Sequence, residues 1–198
     1  MATFDGTTLA RVRLQLSKEA DDTSFDGLLS NLITAASRQV ESWINCPFSA
    51  ESRTETHTID DGTRTKLFLD AAPVSSITSV KVDSSGQFSG SESTLTASTY
   101  TLEPKQGVLH LNFEPTIGFR IYQVVYTGGL AADTAALIAA YPQIAQAIDM
   151  QVAYLFQIAG HPHVEQESLG GAAMRSSEPG GLCRRAREVC SHLTRFRF

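Results

Sequence analysis

Apolar residues recur at helical spacing twice near the start of the chain. Leu9, Val12 and Leu16 predict a short first helix, interrupted by the polar residues 17–24. From Phe25 onward, Leu29, Ile33, Ala36, Val40 and Trp43 step by four and three, which predicts one stripe of an amphipathic helix ending near Ile44. Ser24 is placed to cap its start, and Asn45 and Pro47 to stop it. A stripe of this kind is core packing rather than a cofactor box.

The period then shortens to two. Residues 54–59 and 66–70 flank Asp60-Asp61-Gly62, and Leu67 and Leu69 alternate with polar neighbours, the pattern of a hairpin. Pro73 opens a further β-rich stretch over 77–82, with Val80 and Val82 on one face. Residues 84–98 hold six serines and two glycines and read as a long exposed loop. Strands are predicted again at 100–103, at 108–113 with Leu109, Leu111 and Phe113 on one face, and at 119–127. The last run is apolar on both faces, as a central strand should be, and Gly128-Gly129 ends it.

Helical pattern returns in the alanine-rich residues 131–140. Pro142 suits the first turn of another helix, whose stripe is Ile144, Ile148, Val152 and Leu155 as far as Gly160. The fold class is α+β: two N-terminal helices and one or two C-terminal ones bracket a small, mainly antiparallel sheet. Residues 1–160 form this body. The glycine-rich residues 161–181 read as a flexible linker. Residues 182–198 form an extended C-terminal arm, with Leu182, Ala186, Val189 and Leu193 near one face of a helix too short to stand alone in water.

Charge sharpens this division. The 198 residues carry a formal net charge of -5. Residues 182–198 are +4, with Arg184, Arg185, Arg187, Arg195 and Arg197 against Glu188, so the remaining 181 are -9. An acidic body repels nucleic acid, whereas the arm seeks an acidic surface. At 42% hydrophobic and 19% charged residues the chain is globular. No apolar run approaches the roughly 18 residues that span a bilayer, and the first nine residues lack a signal-peptide pattern, so no membrane partner is expected and synthesis is read as cytoplasmic. The three cysteines, Cys46, Cys183 and Cys190, fit a reducing compartment.

Motifs for chemistry are sparse. Gly86-Gln87-Phe88-Ser89-Gly90 misses a nucleophile elbow by one position and lies in the serine-rich loop. His161-Pro162-His163, and Cys183, Cys190 with His192, lack the paired spacing of a zinc site. Asp21-Asp22 and Asp60-Asp61 are adjacent carboxylates of the kind turns solvate. No catalytic residue, metal or cofactor is assigned, and no enzyme is expected.

The order of elements carries more. Ala35-Ala36-Ser37-Arg38-Gln39-Val40-Glu41-Ser42-Trp43, then Asp61-Gly62, Leu67-Phe68-Leu69 and Pro73-Val74-Ser75-Ser76-Ile77-Thr78-Ser79-Val80, resembles the head-tail connector (head-completion adaptor) family of long-tailed double-stranded DNA phages. Val124-Val125-Tyr126-Thr127-Gly128-Gly129-Leu130, followed by Tyr141-Pro142 and the helix over 143–158, resembles that family's closing strand, glycine turn and last helix. The resemblance covers residues 9–160.

The resemblance implies a non-enzymatic virion protein at the head-tail interface. It implies a homo-oligomeric ring, typically of twelve copies, between the portal protein and the tail terminator or stopper, with genomic DNA passing through without sequence-specific binding. The C-terminal extension departs from shorter members. Arg184, Arg185, Arg187, Val189, Leu193, Arg195, Phe196 and Phe198 are assigned to an arm that docks on the portal, the alternatives being an arm that contacts DNA and a solvated basic tail. Asp60, Asp61, Gly62, Ser89 and Gly90 are assigned to tail-facing or channel loops. The alternatives are a tail-completion protein that binds the tail tube, a small regulatory protein with a nucleic-acid-binding basic tail, and a hydrolase with an unrecognised site.

Overall fold

A computed structural model describes residues 4–17, 23–90, 92–160, 166–169, 172–175 and 181–193. The chain divides into two compact units, one built from residues 46–132 and the other from the segments on either side.

The helical unit begins with α1 (Leu9–Gln15), where the Thr8 hydroxyl accepts from Arg11 N and Val12 is buried. The long helix α2 (Asp26–Ile44) buries Leu29, Ile33, Ala36, Ser37, Val40 and Ile44. The predicted stripe holds except at its end, where Ile44 takes the buried place and Trp43 lies 41% exposed. Phe25, not Ser24, is the N-cap, and it makes no side-chain capping bond. Its ring instead packs edge-on against Phe156, and acidic Asp26 in the first turn suits the positive helix start. Asn45 stops α2 in the left-handed conformation.

Two further helices follow the sheet. Asp133 caps α3 (Thr134–Ala140) by accepting from Ala136 N at 2.8 Å, and Pro142 opens α4 (Pro142–Gly160). Ile144, Ile148 and Val152 are buried on α4, whereas Leu155 is half-buried. Buried Asp149 of α4 ties down the start of the chain, accepting from the Thr7 hydroxyl at 2.5 Å and from Arg11 Nη2 at 3.0 Å.

The β unit holds two antiparallel sheets. One runs β1 (Glu51–Ile59), β7 (Gly118–Gly128), β3 (Val74–Val82) and β4 (Ser93–Thr94); the other runs β2 (Lys66–Phe68), β6 (Val108–Leu111) and β5 (Tyr100–Glu103). The strand that is apolar on both faces, β7, is central as expected. Ile59, Leu67, Leu69, Val80, Leu109, Leu111, Tyr122, Val124 and Tyr126 from both sheets share one core.

Two expectations are corrected. The segments flanking Asp60-Asp61-Gly62 do not form a hairpin, because β1 pairs with β7 and β2 pairs with β6. Asp61 accepts from Thr63 N and its hydroxyl, making a local turn that hands the chain to the second sheet instead of folding it back on β1. The serine-rich stretch is not all loop. Ser93 and Thr94 pair with Val82 and Lys81, Glu92 pairs with Lys81 at 2.9 Å, and Leu95 packs against the core.

Within residues 161–181, read as a linker, β8 (Gln166–Leu169) and β9 (Ala172–Arg175) pair antiparallel. His161, Pro162 and His163 lie outside the described residues, as do Asp21 and Asp22. The arm contributes α5 (Arg184–Cys190) and a 3-10 turn (Ser191–Leu193). Its partner is the chain itself, for α5 packs on α4 and α2.

Candidate functional site

One candidate surface is a cluster of loops in the β unit. Asp60, Asp61, Ser89 and Gly90 are exposed and Gly62 is half-buried. An open cleft lies beside the first turn, lined by Asp60, Asp61, Thr63, Arg64, Thr65, Lys66 and Phe68. Both loops border a third that sequence reasoning missed. Gly62 lies against Glu114, Pro115 and Ile117, and Gly86 lies against the backbone of Phe119 and Arg120.

That third loop exists because β7 bulges. His57 pairs with Tyr122 and Ile59 with Gly118, so β7 spends four residues where β1 spends two. Arg120 takes a left-handed φ of 54° in the bulge. Its N–H donates to Thr58 Oγ1 at 2.9 Å and its Nε to Thr56 Oγ1 at 3.0 Å, replacing the lost ladder bonds. The hydroxyl of buried Tyr122 accepts from Thr116 N at 3.1 Å and fixes the loop's other end. The result is a braced protrusion that exposes Phe119 by 77% and Ile117 by 60%, and Arg120 is exposed as well.

The serine-rich loop is braced as well. Asp83 accepts from Ser85 N, Ser85 Oγ and Phe88 N, each at 2.8 Å, and these bonds hold its carboxyl below the usual aspartate range. Ser89 therefore sits exposed in a turn-rich loop, without the strand-to-helix setting of a nucleophile elbow.

The second surface is the seated arm. Leu182, Cys183, Ala186 and Cys190 are buried, and the fully buried Gln151 of α4 recognises the chain entering α5. Gln151 Oε1 accepts from Cys183 N at 2.7 Å, and its Nε2 donates to Gly181 O at 3.3 Å and to Gln39 Oε1 at 2.7 Å. The Arg187 guanidinium stacks over Trp43, 5.9 Å from the ring centre. Val189 and Leu193 are half-buried, and burial pushes the Cys190 thiol up to about 11. Arg184 and Arg185 face outward, Arg184 paired with Glu188 at 2.8 Å. Arg195, Phe196 and Phe198 lie outside the described residues.

A further ionisable cluster, around Glu55, is a fastening. Glu55 accepts from Asp70 N and from the Tyr126 hydroxyl, while Tyr126 accepts from Ala71 N at 3.0 Å, which ties the chain leaving β2 to β1 and β7. Burial raises the Glu55 carboxyl and lowers the His57 imidazole. Among the described residues, no three histidine, cysteine or acidic side chains converge on a metal-sized site, and no helix is long and apolar enough to cross a membrane.

With these surfaces defined, relatives are informative. No curated protein matches the chain. Its fold is similar to a chain in the neck of an empty gene transfer agent particle computed with C6 symmetry: the TM-score is 0.62 at 20% identity, covering 98% of this chain and 91% of that one. It is also similar to a chain of the native gene transfer agent virion, with a TM-score of 0.61 at 19% identity and the same coverage. A third chain, from the native neck computed with C12 symmetry, gives 0.55 at 17% identity, covering 100% of this chain and 97% of that one. These likenesses establish a shared α+β fold. The head completion protein family model matches residues 7–159, spanning both compact units, and the chain therefore belongs to the head completion protein family.

Proposed function

We propose that this chain is a structural head-tail adaptor of a virion or virion-like particle. It forms a closed ring of twelve copies between the portal and the tail terminator or stopper, and it catalyses nothing. The observation that carries the reading is the family match across residues 7–159. The symmetric necks that contain chains of the same fold support a ring, and a ring of one chain needs unlike, head-to-tail surfaces. The acidic balance of residues 1–181 suits a conduit, since like charge keeps passing DNA from adhering to the wall.

The seated arm is the portal-binding surface in this reading. With its apolar side held by α4 and α2, α5 offers Arg184 and Arg185 to an acidic portal surface, and Arg195, Phe196 and Phe198 extend the contact. Asp60, Asp61, Gly62, Ser89 and Gly90 form the tail-facing or channel loops. Light scattering of the full chain mixed with purified portal tests this. A stable ring-on-portal complex is expected, and removing residues 182–198 should abolish it. Unchanged binding of the truncated chain would sink the docking role, and a chain that never joins portal would sink the adaptor reading.

A further inference from the structure

Two parts of the chain leave backbone hydrogen-bonding groups without a strand to meet them. The first is the hairpin after α4. β8 and β9 pair only with each other among the described strands, from Gln166↔Arg175 to Leu169↔Ala172. Gly170-Gly171 between them is a two-residue connection of the kind that turns a hairpin. The strand sequences, QESL and AAMR, supply only Leu169 and Met174 as large apolar residues. A two-stranded hairpin of this size and composition is marginal in water and needs a third strand or a helix to lie on. The likeness to the neck chain computed with C12 symmetry extends over 100% of this chain, so the hairpin falls within the shared fold.

The second part is β1. It is nine residues long and stands at the edge of its sheet, bonded to β7 on one side and, among the described residues, to no strand on the other. The other edge strands, β4, β2 and β5, are two, three and four residues long. A long edge is a template for pairing, and proteins that must keep one open blunt it with lysine, proline, a bulge or inward charges. β1 has no lysine or proline, and its register with β7 is unbroken from Glu51 to His57. Ser52, Thr54 and Thr56 present small hydroxyls. The carboxylates at alternate positions are engaged within their own chain, Glu51 accepting from Ser49 Oγ at 2.7 Å and Glu55 from Asp70 N at 3.1 Å, so they do not fend off an incoming strand.

We infer that, around the ring, the β8-β9 hairpin of one copy adds to the β1 edge of the next and extends its sheet. This rests on the ring reading above and names its contact. Strand addition works through main-chain bonds and asks little of the side chains, which suits a hairpin poor in apolar residues. One contact gives the hairpin its third strand and β1 its second neighbour. A portal or tail protein seated at either place would satisfy only one of the two, whereas a second copy satisfies both. Hairpin and edge are unlike surfaces, present once in every chain, as a head-to-tail ring requires.

Two measurements on the full-length chain test the inference. The first replaces residues 166–175 by an equally long glycine-serine stretch, which keeps the span to the arm. Native mass spectrometry, with and without purified portal, should show that rings of this variant need about tenfold more protein or fail to form. Amide exchange over 51–57 should slow by about tenfold when wild type assembles and stay fast in the variant. The second measurement mixes Thr54→Cys chains with Ser168→Cys or Ala173→Cys chains and adds a short bismaleimide. The native cysteines are buried, so a cross-linked dimer should form only when both kinds of chain are present. Normal rings from the glycine-serine variant, with no mixed dimer, would overturn this contact and leave the adaptor reading standing. Normal rings that no longer join portal would assign the hairpin to the portal and also overturn it. Cross-linking within single chains carrying both cysteines, without mixed dimers, would show that the hairpin closes on its own β1, a third refuting result. Wild type that forms no ring with or without portal would bring down the ring reading itself.

Discussion

Replacing Gln151 by methionine keeps the side-chain volume while removing the two hydrogen bonds by which Gln151 holds Gly181 and Cys183 of the arm. Cys183 N–H loses its acceptor in a buried place, whereas Gly181 O and Gln39 lie where water can replace the lost donor. One orphaned buried donor costs about 1–3 kcal/mol. The central figure of about 2 kcal/mol corresponds to a roughly 30-fold rise in the open population of the arm. Seven residues cannot hold a helix in water without support, so α5 should open as a unit once unseated. Amide hydrogen exchange over 184–190 should accelerate by about that factor, with the central amides of α2 and α4 unchanged. Cys190 gives an independent readout. Its thiol is buried and held near 11, so it should be inert to a thiol reagent in wild type and react in the variant. Exchange over 184–190 within twofold of wild type would refute the role given to Gln151. Equal acceleration throughout α2 and α4 would refute the separateness of the arm.

Three further outcomes are expected. Gly129→Ala should destabilise the β unit by about 3 kcal/mol in chemical denaturation, because φ is 136° there and an added Cβ would stand 2.2 Å from the Ser49 carbonyl oxygen. Leu109→Ala, in the core shared by both sheets, should cost about 2–5 kcal/mol by the same assay and leave the exchange of α5 unaltered. Loop 84–90 should loosen in acid. The folded Asp83 carboxyl is depressed, so its bracing is complete above the ordinary aspartate pKa and is lost as pH falls through the lower folded value. Exchange at Ser85 and Phe88, corrected for intrinsic rate, should rise below that value in wild type and already be high at neutral pH in Asp83→Ala.

The features legible in the sequence were those set by local periodicity. The stripes of α2 and α4, the stop at Asn45 and the central place of β7 each follow from neighbours within a few turns or one strand. What escaped depends on distant partners. The turn at Asp60-Asp61-Gly62 carries a genuine local signal, but whether it returns the chain to β1 is decided by β6 and β7, about 50 residues away. The bulge at Phe119 and Arg120 is a register mismatch between strands 60 residues apart, and the run itself reads as unbroken strand. Gln151 appears as a polar interruption on a helix, and nothing local reveals that it recognises the backbone of Cys183. The basic arm was legible as charge and as an amphipathic turn; that its apolar side is filled by α4 and α2 was not.

The central claim, a ring adaptor at the head-tail junction, is tested most directly by a symmetry-averaged electron cryomicroscopy reconstruction of the neck of particles that contain this chain. The account predicts density for the helical and β units repeated around a closed ring, with portal on one side and tail terminator or stopper on the other, and DNA within. Particles whose neck lacks this chain, or in which it occurs only along the tail tube, would contradict it.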